Sequence, residues 1–303
     1  MASLFKKILG VGEVNPFPAD VPFTDADPCA GCATPCTTHE QIPGYLQKKI
    51  EPGPLVGTMK PYKRHIMVVE GTSRTWRERI EEGDEEKVTN AVSKAVEIAE
   101  LGYRTIVTAC DPMPEESDAA ASAGTEGHAV WLFPDLLSIP SVDAASATGA
   151  IDTLLAMKDA PVPSVDPSAN SIDAVTTSSN PLTPVPLEGR AWIFVCTHKK
   201  RDKRCGVAGP LLVNEFRRAL KEMNIDDVHV FGCSHFGGHK YAGNVIIYHR
   251  NPAVDGNWYG RVTACHVRPI LQTTILDGQI FKELWRGAMQ KSADIVAKRG
   301  KEW

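Results

Sequence analysis

Two stretches of the chain alternate short apolar runs with runs of helical period. In the first stretch Ile66–Val69 is apolar and β-prone, and apolar residues recur on one helical face between Val88 and Leu101, as in a helix that lies on a sheet. Two further β-prone runs follow, at Thr105–Ala109 and Ala129–Phe133. Strands that alternate with helices indicate an α/β fold here.

The second stretch opens with the apolar run Ala191–Val195, which is typical of a buried strand. A helix is predicted next, with Pro210 near its first turn and apolar residues at helical spacing from Leu212 to Met223. Three further strands and a last helical stretch after Pro269 complete the pattern; the strands are predicted at Val228–Phe231, Asn244–Tyr248 and Trp258–Val262. This order resembles a thioredoxin-like layer of helices on a mixed sheet.

The segment between these stretches has a different composition. Residues 161–189 contain six prolines and many Ser and Thr, without Lys or Arg, and such residues cannot supply a packed face. We therefore predict a partly mobile, Cys-containing extension at 1–60, an α/β domain at 61–160, a linker at 161–189 and a second domain at 190–303. The first domain could share the thioredoxin-like architecture of the second.

Composition and charge narrow the function classes. The chain is 43% hydrophobic and 23% charged, which is ordinary for a globular protein, and no apolar run approaches the ~18–20 residues that cross a bilayer. With 33 basic and 37 acidic residues the net charge is -4. A protein-wide attraction to nucleic acid or to a membrane is therefore not expected.

The eight cysteines are too sparse for a disulfide scaffold, and the N-terminus does not resemble a secretory signal, so reduced thiols are expected. The short amphipathic piece Met1–Val11 resembles part of a mitochondrial address but lacks Arg. We predict a cytoplasmic location, with mitochondria as the alternative.

Four residues of the second stretch form a candidate ligand set. Cys196 ends the first strand of this stretch and Cys205 follows with eight residues between them; His235 and His239 flank Gly237 and Gly238 later in the chain. The glycines make a helix unlikely and allow the backbone to turn tightly. A single zinc ion usually has two to four residues between its cysteines, so this wider gap favours a two-iron cluster, although zinc stays open.

The segments CTHKKRDKRCG, HFGGHKYAGNVIIY and WYGRVT resemble the sucrase/ferredoxin-like family, the group of the fungal actin-patches-distal protein. The resemblance covers about residues 191–277. It implies a thioredoxin-like ferredoxin domain whose [2Fe–2S] cluster is held by Cys196, Cys205, His235 and His239. The predicted fold class is thus α/β, a C-terminal thioredoxin-like ferredoxin domain preceded by a second α/β domain.

This ligand set predicts an electron carrier rather than an enzyme with its own substrate pocket. Replacing two thiolates by two imidazoles on one iron raises cluster potentials from roughly -400 mV to about -150 to +300 mV. Because an imidazole on reduced iron holds its proton more tightly, we expect reduction coupled to proton uptake. The expected electron donor is a flavoprotein reductase. A zinc-stabilised adaptor protein is the alternative.

A second group of candidate residues lies near the N-terminus, where Cys29, Cys32, Cys36 and His39 are closely spaced. This spacing is compatible with a metal-free thiol segment, with a second metal site, or with a thiol–disulfide oxidoreductase that uses Cys29 and Cys32. The sequence does not distinguish these three interpretations.

Several other residues carry weaker signals. The loop Lys199–Arg204 has five basic residues in six and is either a solvated turn or a surface that steers an acidic redox partner. His198 and His266 are candidates either to donate hydrogen bonds to the ligand residues or to serve as reserve ligands. Trp303 ends the chain and resembles the terminal signal that presents clients to the cytosolic iron–sulfur assembly targeting complex. Three further cysteines are predicted to be small buried hydrophobes, namely Cys110, Cys233 and Cys265.

Overall fold

The protein is described here by a computed structural model that covers residues 16–30, 39–82, 86–112, 127–156 and 181–289. Two short elements come first, β1 at Phe23–Thr24 and α1 at Gly44–Gln47. The rest of the described chain builds a ten-stranded mixed sheet with helices on its outer faces.

The first half of the sheet follows the predicted alternation. Strand β2 begins two residues before the predicted apolar run and ends with it at Val69, and the helix ends at Ile98, three residues before the predicted limit. The elements of this half are β2 (Arg64–Val69), α2 (Val88–Ile98), β3 (Thr105–Cys110), β4 (His128–Phe133), β5 (Leu137–Val142) and α3 (Ala147–Ala156).

The second half repeats this order of elements and adds short strands at its ends. Its elements are β6 (Val185–Pro186), β7 (Ala191–Cys196), α4 (Lys203–Met223), β8 (Val228–Cys233), β9 (Val245–His249), β10 (Asn257–Tyr259), α5 (Ala264–Pro269), β11 (Ile280–Phe281) and β12 (Trp285–Ala288). A π-helical turn at Ile270–Leu276 continues α5.

The two halves have the same topology. The sheet order is β12-β10-β9-β7-β8-β3-β2-β4-β5-β6. In each half the first strand pairs in parallel with the strand that follows its helix, and antiparallel with the third strand. The halves meet where β3 pairs antiparallel with β8 at Cys110 and Cys233. The predicted α/β class is confirmed, and both halves have the thioredoxin-like strand order.

Side-chain contacts show that the sheet folds back on itself. Phe133 of β4 stacks on Tyr248 of β9 with ring centroids 4.3 Å apart, although these strands are separated by five strand steps, about 24 Å in a flat sheet. The inner faces of the two halves therefore pack together around one aromatic layer. Helices α2 and α3 cover one outer face, and α4 and α5 cover the other.

Segments outside the repeated units also join the fold. Strand β1 pairs in parallel with β11, and Phe17 and Phe23 pack against Trp285. Part of the N-terminal extension is thus ordered on the second half. Strand β6 lies within the predicted linker and pairs antiparallel with β5, because its two extended residues meet the free edge of that strand.

Helix α4 begins earlier than the sequence pattern indicates. The prediction that Pro210 lies near its first turn is wrong, because the helix starts at Lys203 and Pro210 lies inside it. Asp202 fixes this start by accepting a hydrogen bond from the backbone N–H of Arg204 at 2.8 Å, as an N-cap residue does. Within the described ranges no helix is long and apolar enough to cross a membrane.

Candidate metal centre

The two candidate cysteines lie at the end of β7 and in the first turn of α4. Cys196 is the last residue of β7, as predicted, whereas Cys205 lies inside α4, which begins earlier than predicted. Because α4 starts early, its first turn brings Cys205 back toward the strand that it follows. Both cysteines are buried, with 2% and 0% of their surface exposed.

Two glycines allow this close approach of helix and strand. A Cβ atom on Gly209 would lie 2.3 Å from the carbonyl oxygen of Cys196, and one on Gly206 would lie 2.5 Å from the Cα of Lys199. Neither distance is compatible with a side chain. The first turns of α4 can therefore pack directly on the backbone of the loop between the cysteines, as close helix packing requires.

The two histidines belong to a loop that follows β8. His235 comes two residues after the end of the strand, and His239 begins a short 3₁₀ turn that ends at Tyr241. Between them Gly237 and Gly238 have φ angles of +113° and +75°, a backbone region that side-chain-bearing residues rarely adopt. The glycines fold the loop back so that both imidazoles face the same region.

Strand order then brings Cys196, Cys205 and His235 into one group, with the His239 ring next to that of His235. Strands β7 and β8 are parallel neighbours, so their carboxyl ends lie at the same edge of the sheet. Ligand atoms of Cys196, Cys205 and His235 lie within 4.8 Å of one another, and the Cys196 Sγ is 3.8 Å from the His235 Nδ1. The rings of His235 and His239 have centroids 5.3 Å apart.

One ring nitrogen in this group points to a ligand. The Nδ1 of His239 is buried and has no hydrogen-bond partner among the described residues, which costs free energy unless a ligand satisfies it. Burial also lowers the pKa of His239, so that the ring is neutral near pH 7. A neutral imidazole is the form that binds a metal.

The pKa values of the two cysteine thiols are shifted in opposite directions. A hydrogen bond from the Cys205 thiol lowers the pKa of Cys196 well below its ordinary value, and the nearby His235 lowers it further. The same hydrogen bond, together with burial, raises the pKa of Cys205. The arrangement favours the thiolate form of Cys196, and a bound cation would favour loss of the Cys205 proton as well.

Arg286 of β12 supports the histidine loop, and the sequence analysis did not identify it. Its guanidinium, 1% exposed, donates to the Gly237 carbonyl oxygen at 3.2 Å and to the Asn244 Oδ1 at 2.8 Å. It also donates to the carbonyl oxygen of Thr58 at 2.6 Å. The amide of Asn244 donates in turn to the Gly238 carbonyl oxygen at 2.9 Å. Together these bonds fix the loop.

The charge of Arg286 is unusual because no described carboxylate pairs with it. Burial lowers its pKa to about 10, and Tyr241 and the thiols of Cys196 and Cys205 oppose that shift. The guanidinium therefore stays protonated, and its buried positive charge interacts with these groups. Such a charge favours a negatively charged thiolate or cluster at this position. No local sequence motif identifies this residue, because β12 is distant in the chain.

Of the two additional histidines, one contacts the centre. The backbone N–H of His235 donates to the Nδ1 of His198 at 3.2 Å, so His198 orients the loop. His266 instead forms a capping box with Thr263 at the start of α5, and burial lowers its pKa to about 4. These contacts indicate that His198 orients the loop that carries His235, whereas His266 stabilises the start of α5.

The remaining cysteines lie at three places. Cys110 and Cys233 are fully buried in the aromatic layer, as predicted. Cys265 is only half-buried, and its Sγ lies 3.6 Å from the His39 Nδ1. Cys29 is half-buried, whereas Cys32 and Cys36 lie outside the described residues. The three interpretations of the N-terminal motif thus stay predictions.

Comparisons with known proteins identify relatives in yeasts. "Altered inheritance of mitochondria protein 32" of Debaryomyces hansenii is 35% identical over 162 residues, which cover 52% of this chain and 59% of the relative. The protein of the same name from Clavispora lusitaniae is 48% identical over 96 residues, which cover 31% and 34%. The chain thus spans less than two thirds of the length of these two relatives.

"Actin patches distal protein 1" of Saccharomyces cerevisiae is 28% identical over 267 residues, which cover 82% of this chain and 80% of the relative. Among solved structures, a thioredoxin-like [2Fe–2S] ferredoxin from Aquifex aeolicus has 19% identity and a TM-score of 0.27 over 33% of this chain and 93% of that one. The profile of the family described as "Sucrase/ferredoxin-like" matches residues 55–287, which includes both halves of the sheet. This chain belongs to the sucrase/ferredoxin-like family.

Proposed function

We propose that this protein binds a [2Fe–2S] cluster through Cys196, Cys205, His235 and His239 and transfers single electrons. One observation carries the proposal: two buried thiols and two imidazoles converge at the carboxyl ends of neighbouring strands, and the buried His239 Nδ1 lacks a partner among the described residues. Membership of a family described as ferredoxin-like supports the same function.

The donor set fits an iron–sulfur cluster. Thiolates hold iron, and imidazoles replace a pair of thiolates in clusters of raised potential. Bound here, the cluster would supply one-electron chemistry. The residues around it would bury the cluster, because Cys196 and Cys205 are almost fully covered and Phe236 and Ile50 pack beside them. The imidazole side of the centre is less buried, since His235 and His239 are only half-buried.

Zinc is the alternative occupant of these residues. Two thiolates and two imidazoles also form a tetrahedral zinc site, and the protein would then be a redox-silent adaptor. The buried charge of Arg286 favours the cluster, because it interacts electrostatically with the sulfur ligands and would stabilise the additional electron of the reduced form.

Several features of the function extend beyond this centre. The electron donor is proposed to be a flavoprotein reductase, and Trp303, which lies outside the described residues, is proposed to contact the iron–sulfur assembly targeting complex. Coupling of reduction to proton uptake is a prediction from the ligand chemistry. A cytoplasmic location also stays a prediction, and the names of the relatives in yeasts make mitochondria the alternative.

The test is a count of metal and sulfide. We would purify the protein anaerobically after iron-replete expression, record its visible absorption, and measure iron, acid-labile sulfide and zinc per chain in the wild type and in His239→Cys. We expect about two irons and two sulfides per chain in the wild type. The variant should keep the visible absorption of a cluster, with its spectrum shifted. A colourless wild type with one zinc and no sulfide would overturn it.

A further inference from the structure

An open groove lined with basic side chains lies over the loop that joins the two candidate cysteines. Its volume is about 1190 Å³. One wall is α1 with Lys49 beyond its end, and another is the segment at Ser73 and Arg74. The loop Lys199–Arg204 forms the third. The lining residues, which define the basic groove, are Tyr45, Leu46, Lys49, Ser73, Arg74, Lys199, Lys200, Arg201, Asp202, Lys203 and Arg204.

Most of the charge in the basic groove is not neutralised locally. Arg204 pairs with Asp202 at 2.9 Å, and Arg201 lies 3.5 Å from Glu78. The other five basic side chains are exposed and form no ion pair with a described residue; they are Lys49, Arg74, Lys199, Lys200 and Lys203. This concentration is notable because the whole chain has a net charge of -4. The groove therefore presents a local positive field on an acidic protein.

The walls of the basic groove are held together before any partner binds. The guanidinium of Arg204 donates to the carbonyl oxygen of Lys49 at 2.9 Å and to both carboxylate oxygens of Asp202. Helix α1 is thereby attached to the start of α4. A preorganised surface loses less conformational entropy on association than a mobile one does.

The position of the basic groove relates it to the candidate centre. Its loop begins three residues after Cys196 and ends one residue before Cys205, so the groove wall and the two candidate sulfur ligands belong to one strand–loop–helix unit. The groove is open and much larger than a single anion requires. Tyr45, which is 67% exposed at its rim, is the kind of side chain enriched in protein interfaces.

We propose that the basic groove docks the acidic face of an electron-transfer protein that reduces this centre. The inference rests on the proposed function and adds the chemistry of the partner. In the docked complex the donor loses one electron and the oxidised cluster gains it, without transfer of atoms. A nucleic acid is a less suitable occupant, because Tyr45 is the one aromatic side chain in the groove, whereas single strands need successive stacking platforms.

The test uses a bacterial flavodoxin as an acidic one-electron donor. Reduced flavodoxin would be mixed with the cluster-loaded protein in a stopped-flow instrument, and the second-order rate constant for cluster reduction would be measured between 10 and 500 mM salt, a range chosen to span weak and strong screening. For the double variant Lys199→Glu/Lys200→Glu we expect a rate constant lower by about tenfold or more at low salt. Wild type and variant should converge at high salt.

A second groove variant and a control variant outside the groove test whether the change in rate constant is specific to the basic groove. Lys49→Glu changes the opposite wall and should act in the same direction. Lys221→Glu lies in the last turn of α4, about 27 Å along the helix from Lys203. It makes the same charge change as Lys49→Glu and half that of the double variant, and it should alter the rate constant less than twofold. Reduction by the small neutral radical of photoreduced deazariboflavin should be the same in all four proteins, which shows that the centre itself is intact.

Each outcome separates the two proposals. A wild type that carries no cluster contradicts the proposed function, whatever the groove does. A loaded protein whose reduction by flavodoxin is equally fast in Lys199→Glu/Lys200→Glu and in the control overturns the docking proposal alone. The docking proposal is also overturned if the groove variants leave the flavodoxin rate unchanged but abolish binding of a fluorescent RNA oligonucleotide, since the groove would then serve nucleic acid.

Discussion

The two halves of the sheet place different chemistry at equivalent positions. At the carboxyl ends of the parallel pair β7 and β8 the chain carries Cys196 and His235, whereas Glu70 and Asp111 follow the corresponding ends of β2 and β3. The strand order is the same in both halves. The fold thus supplies a place where side chains of two strands meet, and the residues after each strand decide whether that place binds a metal.

The difference extends to the helix that follows each first strand. Glu70 accepts from the backbone N–H groups of Val88 at 3.3 Å and Thr89 at 2.9 Å, so its carboxylate occupies the N-terminus of α2. In the second half Asp202 caps α4 locally, which leaves the first turn free to carry Cys205. A helix N-terminus stabilises negative charge. The first half uses that effect for stability, and the second half presents a thiol there.

Among the substitutions that test this difference, replacing the buried Arg286 should have the largest effect on stability. Arg286→Met leaves the Gly237 carbonyl oxygen and the Asn244 Oδ1 without their donor, and we expect the free energy of unfolding to fall by about 2–4 kcal/mol. Urea denaturation measures this loss. The loss should be greater in the metal-loaded protein than in the metal-free one, because a positive charge that interacts with the sulfur ligands is also removed. Equal losses in the two forms would contradict the electrostatic part.

The two loop glycines provide a matched pair of substitutions. A Cβ on Gly238 would lie 2.2 Å from the Arg286 Nη2, whereas a Cβ on Gly237 would meet nothing within 4 Å. Both have positive φ angles, so both alanine variants carry backbone strain of about 1–2 kcal/mol. Gly238→Ala should lose about a further 1–2 kcal/mol through the clash. Thermal denaturation of both variants checks the difference, and equal stability would show that the guanidinium moves aside.

The cap in the first half should affect stability without affecting the metal centre. Glu70→Ala removes the acceptors for the first N–H groups of α2, and we expect a loss of about 1–2 kcal/mol in the free energy of unfolding. Metal content should stay at the wild-type value. Asp202→Ala is the counterpart in the second half, and it should lower both stability and metal content, because the first turn of α4 carries Cys205. If both variants lose metal alike, the two halves are not separable in this way.

The smallest effect should be a gain in stability at Asp111. Burial raises the pKa of this carboxyl to about 6, and its Oδ1 has no partner among the described residues. Because the folded pKa lies above the unfolded value, the ionised form destabilises the protein above pH 6, and stability is regained as the pH falls toward 4. Asp111→Asn should add about 1 kcal/mol at pH 7.5, less than the full shift because the group is partly exposed.

Urea denaturation of the metal-free protein at pH 4.5 and pH 7.5 tests this prediction. The gain should be clear at pH 7.5 and should fall to about a third of that value at pH 4.5, where the carboxyl is protonated in the folded state but still largely ionised in the unfolded state. A gain of equal size at both values would show that ionisation of Asp111 is not its cause.

Sequence patterns identified the elements because their signals are local. The apolar run of β7 and the helical periodicity of α2 are visible within one window, and the spacing of Cys196 and Cys205 with His235 and His239 marked the candidate ligands. Contacts between distant segments were not visible in this way. The support from Arg286 and the back-folding of the sheet depend on side chains that meet only after the chain has folded, and no local pattern reports them.

The early start of α4 was missed for a related reason. Pro210 is a strong local signal for a first turn, but the cap at Asp202 and the small residues Gly206 and Gly209 extend the helix toward the strand. Packing of α4 on the loop backbone outweighed the preference of Pro210 for the first turn of a helix. The position of Cys205 in the first turn is a consequence of that packing.

The aromatic layer inside the folded sheet has a consequence for how the protein unfolds. Trp131 and Phe133 from the first half share this layer with Phe194, Phe231 and Tyr248 from the second. Each half alone would expose its share of the layer to water, at a cost of about 25 cal/mol for each Å² of apolar surface. The two halves should therefore melt in one cooperative transition, and amide protons on β4 and β9 should exchange with solvent at the same rate-limiting opening.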